Sequence, residues 1–212
     1  MSGPFKVNTR SQWTAQNPVL MAGEPGLESQ TSNLKIGDGR TAWNQLPYFA
    51  APGYWGSFWD ETSQTAVADT PTAIKMRSVD LSNRGVHIVS ETRMTFQHPG
   101  VYSITFSIQF SNSDTQIHDV NVWLRKNDSG SSGDVPASDS RFSIISSHGG
   151  IDGNVIGCVN FVLKLAANDY IELMWATSNA LAYIHAEPAQ TSPFSHPSIP
   201  GIICTAVQVA GA

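Results

Sequence analysis

Apolar and polar residues alternate through the middle of the chain with a period of two. In Val101–Phe110, Tyr102, Ile104, Phe106, Ile108 and Phe110 fall on one face, and Ser103, Thr105, Ser107 and Gln109 fall on the other. A period of two belongs to a β-strand with one buried face, because successive side chains of a strand point to opposite sides. Val120, Val122 and Leu124 repeat the pattern, with Asn121, Trp123 and Arg125 opposite. Phe161, Leu163 and Leu165 repeat it again, followed by Ile171, Leu173 and Trp175. No segment shows helical spacing with caps, so the pattern predicts an all-β protein.

Turn chemistry separates the strands. His98-Pro99-Gly100 precedes the first, Lys126 to Gly133 follows the second, and Ala167-Asn168-Asp169 makes a tight reversal before Tyr170. Pro188, Pro193, Pro197 and Pro200 exclude a central strand from that stretch and predict a long loop. Short strands at this spacing predict an antiparallel β-sandwich of the jelly-roll kind over residues 56 to about 205, with a short tail after it. The first 55 or so residues differ: they are rich in Gly, Pro, Asn and Trp and show little periodicity. The division is therefore a small N-terminal module, 1–52, and a jelly-roll domain, 53–212.

Composition refines this picture. Charged residues are 14% of the chain, against roughly 25% in ordinary soluble domains. The polar surface must come from Ser, Thr, Asn and Gln, as suits uncharged strand faces packed together. The net charge is −5 and no Lys/Arg run occurs, which argues against a nucleic-acid partner. No apolar leader opens the sequence, and no apolar stretch approaches the roughly 20 residues of a membrane span. Cys158 and Cys204 lie in strand-like apolar runs; two buried reduced thiols are expected, with a disulfide as the alternative.

Candidate chemistry is sparse. Six histidines, at 87, 98, 118, 148, 185 and 196, form no metal-ligand pair in sequence, and Gly-x-Ser-x-Gly is absent. His118-Asp119 reads as polar capping, and Asp38 between Gly37 and Gly39 as a turn residue. Asp134, Asp139 and Asp152 are spread over loops, where a calcium site would need them to converge. No catalytic set, metal or cofactor is expected. The aromatics weigh more. Trp55, Phe58 and Trp59 crowd five positions, and with Tyr102, Phe106 and Trp123 they are candidates for core, junction or subunit contacts. Trp123 and Tyr183 are an alternative sugar-binding platform.

Two stretches resemble known families. Trp13, Asn17-Pro18-Val19-Leu20, Gly23-Glu24-Pro25-Gly26-Leu27-Glu28, Lys35-Ile36-Gly37-Asp38-Gly39 and Thr41-Ala42-Trp43-Asn44 stand in order between Arg10 and Tyr48. This series resembles the N-terminal module of phage tail-fibre, receptor-binding and hyaluronidase-type proteins. Further on, Phe58-Trp59, Gly100-Val101-Tyr102 with Phe106, Val122 to Asn127, and Leu165 to Leu173 resemble the strands of a C1q/TNF-like jelly-roll. Hyaluronidase-type proteins continue into a β-helical stalk, whereas this chain turns into a jelly-roll.

The resemblances imply a homotrimer in a phage virion, assembled in the host cytoplasm. They imply attachment through the N-terminal module to a major capsid or tail protein. A capsid decoration (cement) protein and a head or tail fibre both fit. A receptor-binding fibre for host surface glycans is the alternative, and a polysaccharide depolymerase the outsider.

Overall fold

The computed structural model describes residues 6–49 and 53–211. The chain divides into two compact units, 1–52 and 53–212.

The first unit holds three short strands and one helix. These are β1 (Lys6–Asn8), α1 (Arg10–Gln16), β2 (Pro25–Glu28) and β3 (Leu34–Ile36). Strand β2 pairs parallel with β1 and antiparallel with β3. The chain is nearly all-β, as expected, and this helix is the exception to the expectation that no segment is a capped helix. It spans only seven residues, too short for helical periodicity to register, but both ends are capped. Thr9 and Gln12 form a reciprocal capping box, and Asn17 closes the other end in a left-handed conformation at φ 40°.

The second unit is a sandwich of two six-stranded sheets. Its strands are β4 (Trp55–Asp60), β5 (Thr72–Ala73), β6 (Ser78–Val79), β7 (Val86–Val89), β8 (Arg93–Phe96), β9 (Gly100–Asn112), β10 (His118–Lys126), β11 (Ser140–Ile144), β12 (Gly153–Leu165), β13 (Tyr170–Thr177), β14 (Ala182–Ile184) and β15 (Ile202–Ala210). One sheet runs β12-β9-β15-β4-β6 with β14 also on β9, and the other β11-β10-β13-β8-β7 with β5 also on β13. All pairings within this unit are antiparallel. No tail begins at 205, because β15 continues the ladder to Ala210.

The alternating residues build the core. Tyr102, Ile104, Phe106, Ile108 and Phe110 are all buried and meet Val120, Val122, Leu124, Ile171, Leu173 and Trp175 from the facing sheet. Phe58 joins them. Three of the aromatics considered for subunit contacts, Phe58, Tyr102 and Phe106, are therefore consumed by the subunit's own core. Trp55, Trp59 and Trp123 stay half-exposed.

Candidate functional site

The N-terminal motif residues converge on one small core. Trp13 and Trp43 stack with ring centroids 4.1 Å apart and planes 11° from parallel, and Leu20 completes the cluster. The Trp13 indole N–H donates to the Leu27 carbonyl at 2.9 Å. Gly26 passes so close that an added Cβ would lie 2.5 Å from the Trp43 ring. Gly37 is pressed in the same way against the Met21 carbonyl, and its N–H donates to the Glu24 carbonyl. Gly23 and Gly39 adopt φ +80° and +78°, where a side chain would be strained.

Lys35 is buried. Its ammonium donates to the Trp43 carbonyl at 2.8 Å and lies over the Trp43 and Tyr48 rings, and its burial lowers its pKa. Glu28, equally buried, accepts hydrogen bonds from Tyr48 and Thr31. Asp38 accepts from the Thr41 hydroxyl and from the Thr41 and Arg40 backbone N–H groups, which hold its pKa at about 2. Glu24 accepts from the Met21 N–H and pairs with Lys6 at 2.8 Å. Asn17 accepts from the Asn44 N–H at 2.9 Å. Trp13, Gly26, Lys35, Gly37 and Trp43 of the motif are buried and build the module, while Asn17, Gly23, Asp38 and Gly39 shape its surface turns. Val19 and Met21, either side of buried Leu20, are 52% and 71% exposed.

In the second unit the Lys-Asn and Asp segments singled out in the sequence meet each other. Asp169 receives Lys126 at 2.7 Å, the Asn127 amide at 2.6 Å and the Ala166 N–H at 2.7 Å. The Asn127 side-chain amide oxygen accepts from the Tyr170 N–H. Burial opposes the charge on Asp169, and these three partners outweigh it, so its pKa lies below the usual carboxylate value. This clasp ties the end of β10 to the start of β13.

The outer faces of the two sheets differ sharply in charge. On the β12-β9-β15-β4 sheet the outward positions are Asn154, Ile156, Cys158, Asn160, Val162 and Lys164 on β12, then Val101 to Gln109 at alternate positions on β9. Ile203, Thr205 and Val207 follow on β15, and Trp55, Ser57 and Trp59 on β4. Lys164 is the one ionisable group of this set beyond the Cys158 thiol. Cross-strand register sets Cys158, Ser107, Ile203 and Trp59 in one row, and Val162, Ser103, Val207 and Trp55 in another. Ile156, Val162, Ile203 and Val207 are 62%, 62%, 43% and 46% exposed. The opposite sheet presents Arg93, Asp119, Arg125, Arg141 and Glu172 at its outward positions.

No family model matches the sequence, and no curated protein matches it. Among solved structures, the Eiger TNF of S. frugiperda superposes with a TM-score of 0.52 at 14% identity, over 76% of this chain and 96% of that one. The fold is a TNF-like jelly-roll.

The TNF-like jelly-roll holds both cysteines, and they are free. Cys204 faces the core, where burial pushes its thiol up to about 12. Cys158 is exposed, which corrects the expectation of two buried thiols: β12 carries apolar residues on both faces, so its run of Val, Ile and Phe hid the phase of Cys158. In the isolated chain Cys158 is expected to react promptly with a thiol reagent at pH 8. Cys204 should react only on unfolding, at least about a hundredfold more slowly. Equal rates would place Cys204 outside the core.

Among the described residues, Ser178, His118 and Asp114 join in a Ser–His–Asp chain. His118 bonds Asp114 at 2.7 Å, but Ser178 Oγ stands 3.5 Å from the other ring nitrogen and accepts the Asp119 N–H. That separation is beyond nucleophile–base contact. His118 is therefore paired with Asp114 rather than with its neighbour Asp119. Among the described residues, no three His, Cys, Asp or Glu side chains gather as a metal site. No helix among them is long and apolar enough to cross a membrane.

Proposed function

We propose that this protein is a homotrimeric, non-enzymatic structural protein of a tailed-phage particle. Its N-terminal unit attaches to another virion protein, and its jelly-roll is displayed at the particle surface as a capsid decoration or fibre. The observation that carries the assembly is the nearly charge-free outer face of the β12-β9-β15-β4 sheet. Exposed Ile, Val and Trp side chains interleaved with Ser, Thr and Asn suit burial against a copy of the same surface, because contact strands few charges there. The opposite, charged sheet is left to solvent. Three copies are favoured over two because TNF-like jelly-rolls commonly assemble around a threefold axis. The phage location rests on the resemblance of residues 10–48 to fibre-type modules.

The test has two parts. Light scattering on the purified chain should give three times the 22.9 kDa subunit mass; a monomer at micromolar concentration would remove the assembly. Antibody labelling of phage particles by electron microscopy should decorate the head or the tail. Particles without label would remove the virion assignment.

A further inference from the structure

The loops at one end of the sandwich are tied into a single surface. This is the end away from Gly53, where the chain enters. Trp55 pairs with Val207, and Val207 with Ser103 near the start of β9, whereas the loops gather around Asn112, the last residue of β9. Asn112 pairs with Gly153, the first residue of β12, and with Ala182, the first of β14. Its buried side chain holds the loops beside it. The amide nitrogen donates to the Gln116 carbonyl at 2.7 Å and to the Ile145 carbonyl at 3.2 Å, and the amide oxygen accepts from the Asp114 N–H at 2.9 Å. Backbone bonds join the rest. The Ser113 N–H donates to the Leu181 carbonyl at 3.1 Å, the Ser147 N–H to the Asp114 carbonyl at 2.7 Å, and the Asp69 N–H to the Thr177 carbonyl at 2.8 Å. The loops 61–71, 113–117, 145–152 and 178–181 are thus positioned by the rigid sheets and by one another.

This surface turns aliphatic side chains to solvent. Val67, Ile117, Ile145, Ile151 and Leu181, at least one from each loop, are between 47% and 73% exposed. Exposed apolar side chains scattered singly are ordinary. Five on loops bonded to one another form the kind of patch that marks an interaction site. The ionisable side chains around them have one sign. These loops hold Glu61, Asp69, Asp114 and Asp152, with no Lys or Arg, and they hold no Trp, Tyr or Phe. Hydrogen bonds from His118 and from the Thr115 N–H keep the Asp114 carboxyl below the usual carboxylate range, so it is charged at neutral pH.

We propose that this end of the jelly-roll docks onto a partner protein, through an aliphatic patch on that protein rimmed by Lys and Arg. Charge complementarity selects this occupant. An anionic lipid surface would meet carboxylates and no cation. A second copy of the same surface would bring acids against acids. A glycan finds no aromatic ring to stack on in these loops. An aliphatic patch with a basic rim covers the exposed Ile, Val and Leu side chains and pairs the carboxylates around them. The surface belongs to a single subunit, so the proposal stands apart from both the trimer and the virion.

The test is selection of a displayed random-peptide library on the immobilised full-length protein. Enriched sequences should combine Leu, Ile or Val with Lys or Arg. A synthetic peptide of the most enriched sequence should bind the full-length protein, with affinity falling about tenfold in Ile117→Ser and in Ile151→Ser. The same affinity should fall about threefold as NaCl rises from about 50 to about 300 mM. Ile117 and Ile151 are exposed, so both variants keep the fold. Leu81→Ser, in the loop bonded to Trp55 and Ser57 of β4, is the exposed control and should bind as the parent does. No enrichment, enriched sequences without Lys or Arg, or unchanged affinity in both isoleucine variants would overturn the proposal. So would binding to phosphatidylserine vesicles that is lost in Ile151→Ser, which would make the occupant a membrane.

Discussion

Ile203→Asp is expected to turn the proposed trimer into a folded monomer. Ile203 points outward near the start of β15, between Trp59 of β4 and Ser107 of β9. In a free subunit its side chain is 43% exposed, so a carboxylate there stays hydrated and changes stability by no more than about 0.5 kcal/mol. In the assembly each copy would bury an unpaired charge among Trp, Ile and Val side chains, at a cost of several kcal/mol per copy. That is enough to shift association by orders of magnitude. Light scattering should report subunit mass, thermal melting should stay within a few degrees, and Cys158, in the same cross-strand row, should become accessible to thiol reagents. Val89→Asp on the charged sheet, at 47% exposure in the parent, is the control and should remain trimeric. If Ile203→Asp stays trimeric while Val89→Asp dissociates, the contact face is the other sheet.

Trp13→Ala should unfold the first unit and leave the second intact. The change removes a fully buried indole, which costs about 3–5 kcal/mol in a core. It also removes the stack on Trp43 and leaves the Leu27 carbonyl without its donor. A unit of some fifty residues holds only about 3–5 kcal/mol in all, so one substitution consumes it. Limited proteolysis should then trim the chain back to the jelly-roll, whose core shares none of the Trp13 cluster. Resistance of residues 6–49 to protease in this variant would show that the paired indoles are not what holds the module together.

How much was legible in the sequence depended on how many residues carried each signal. The alternation in β9 runs for ten positions and fixes strand, face and core at once, and the burial pattern of β9 repeats it position by position. The Ala167-Asn168-Asp169 reversal was legible because Asn and Asp supply their own turn bonds. Its partnership with Lys126 and Asn127 was not, since nothing local ties residues some forty positions apart.

Helix α1 was missed because seven residues give fewer than two turns of periodicity. Its signal lay in Thr9 and Gln12, the capping box, rather than in any apolar stripe. The uncharged outer sheet face was legible only as a shortage of charge in the whole chain; placing it needed the register that aligns β12, β9, β15 and β4. The placement of Asp134 and Asp139 depended on non-local bonds in the same way. The two look scattered until Arg125 and Asn121 draw them to β10.

Strand order imposes a sequence of events on biosynthesis. The first long strand of the sandwich, β4, joins the rest of its sheet through β15, the last strand in the chain. While the ribosome is still making residues 61–201, Trp55, Phe58 and Trp59 have no permanent neighbour on that side. The sandwich closes only after β15 emerges, which makes folding slow. The nascent chain is most exposed to aggregation just before its last strand arrives, and a stop codon near residue 200 should yield insoluble protein rather than a slightly weaker fold.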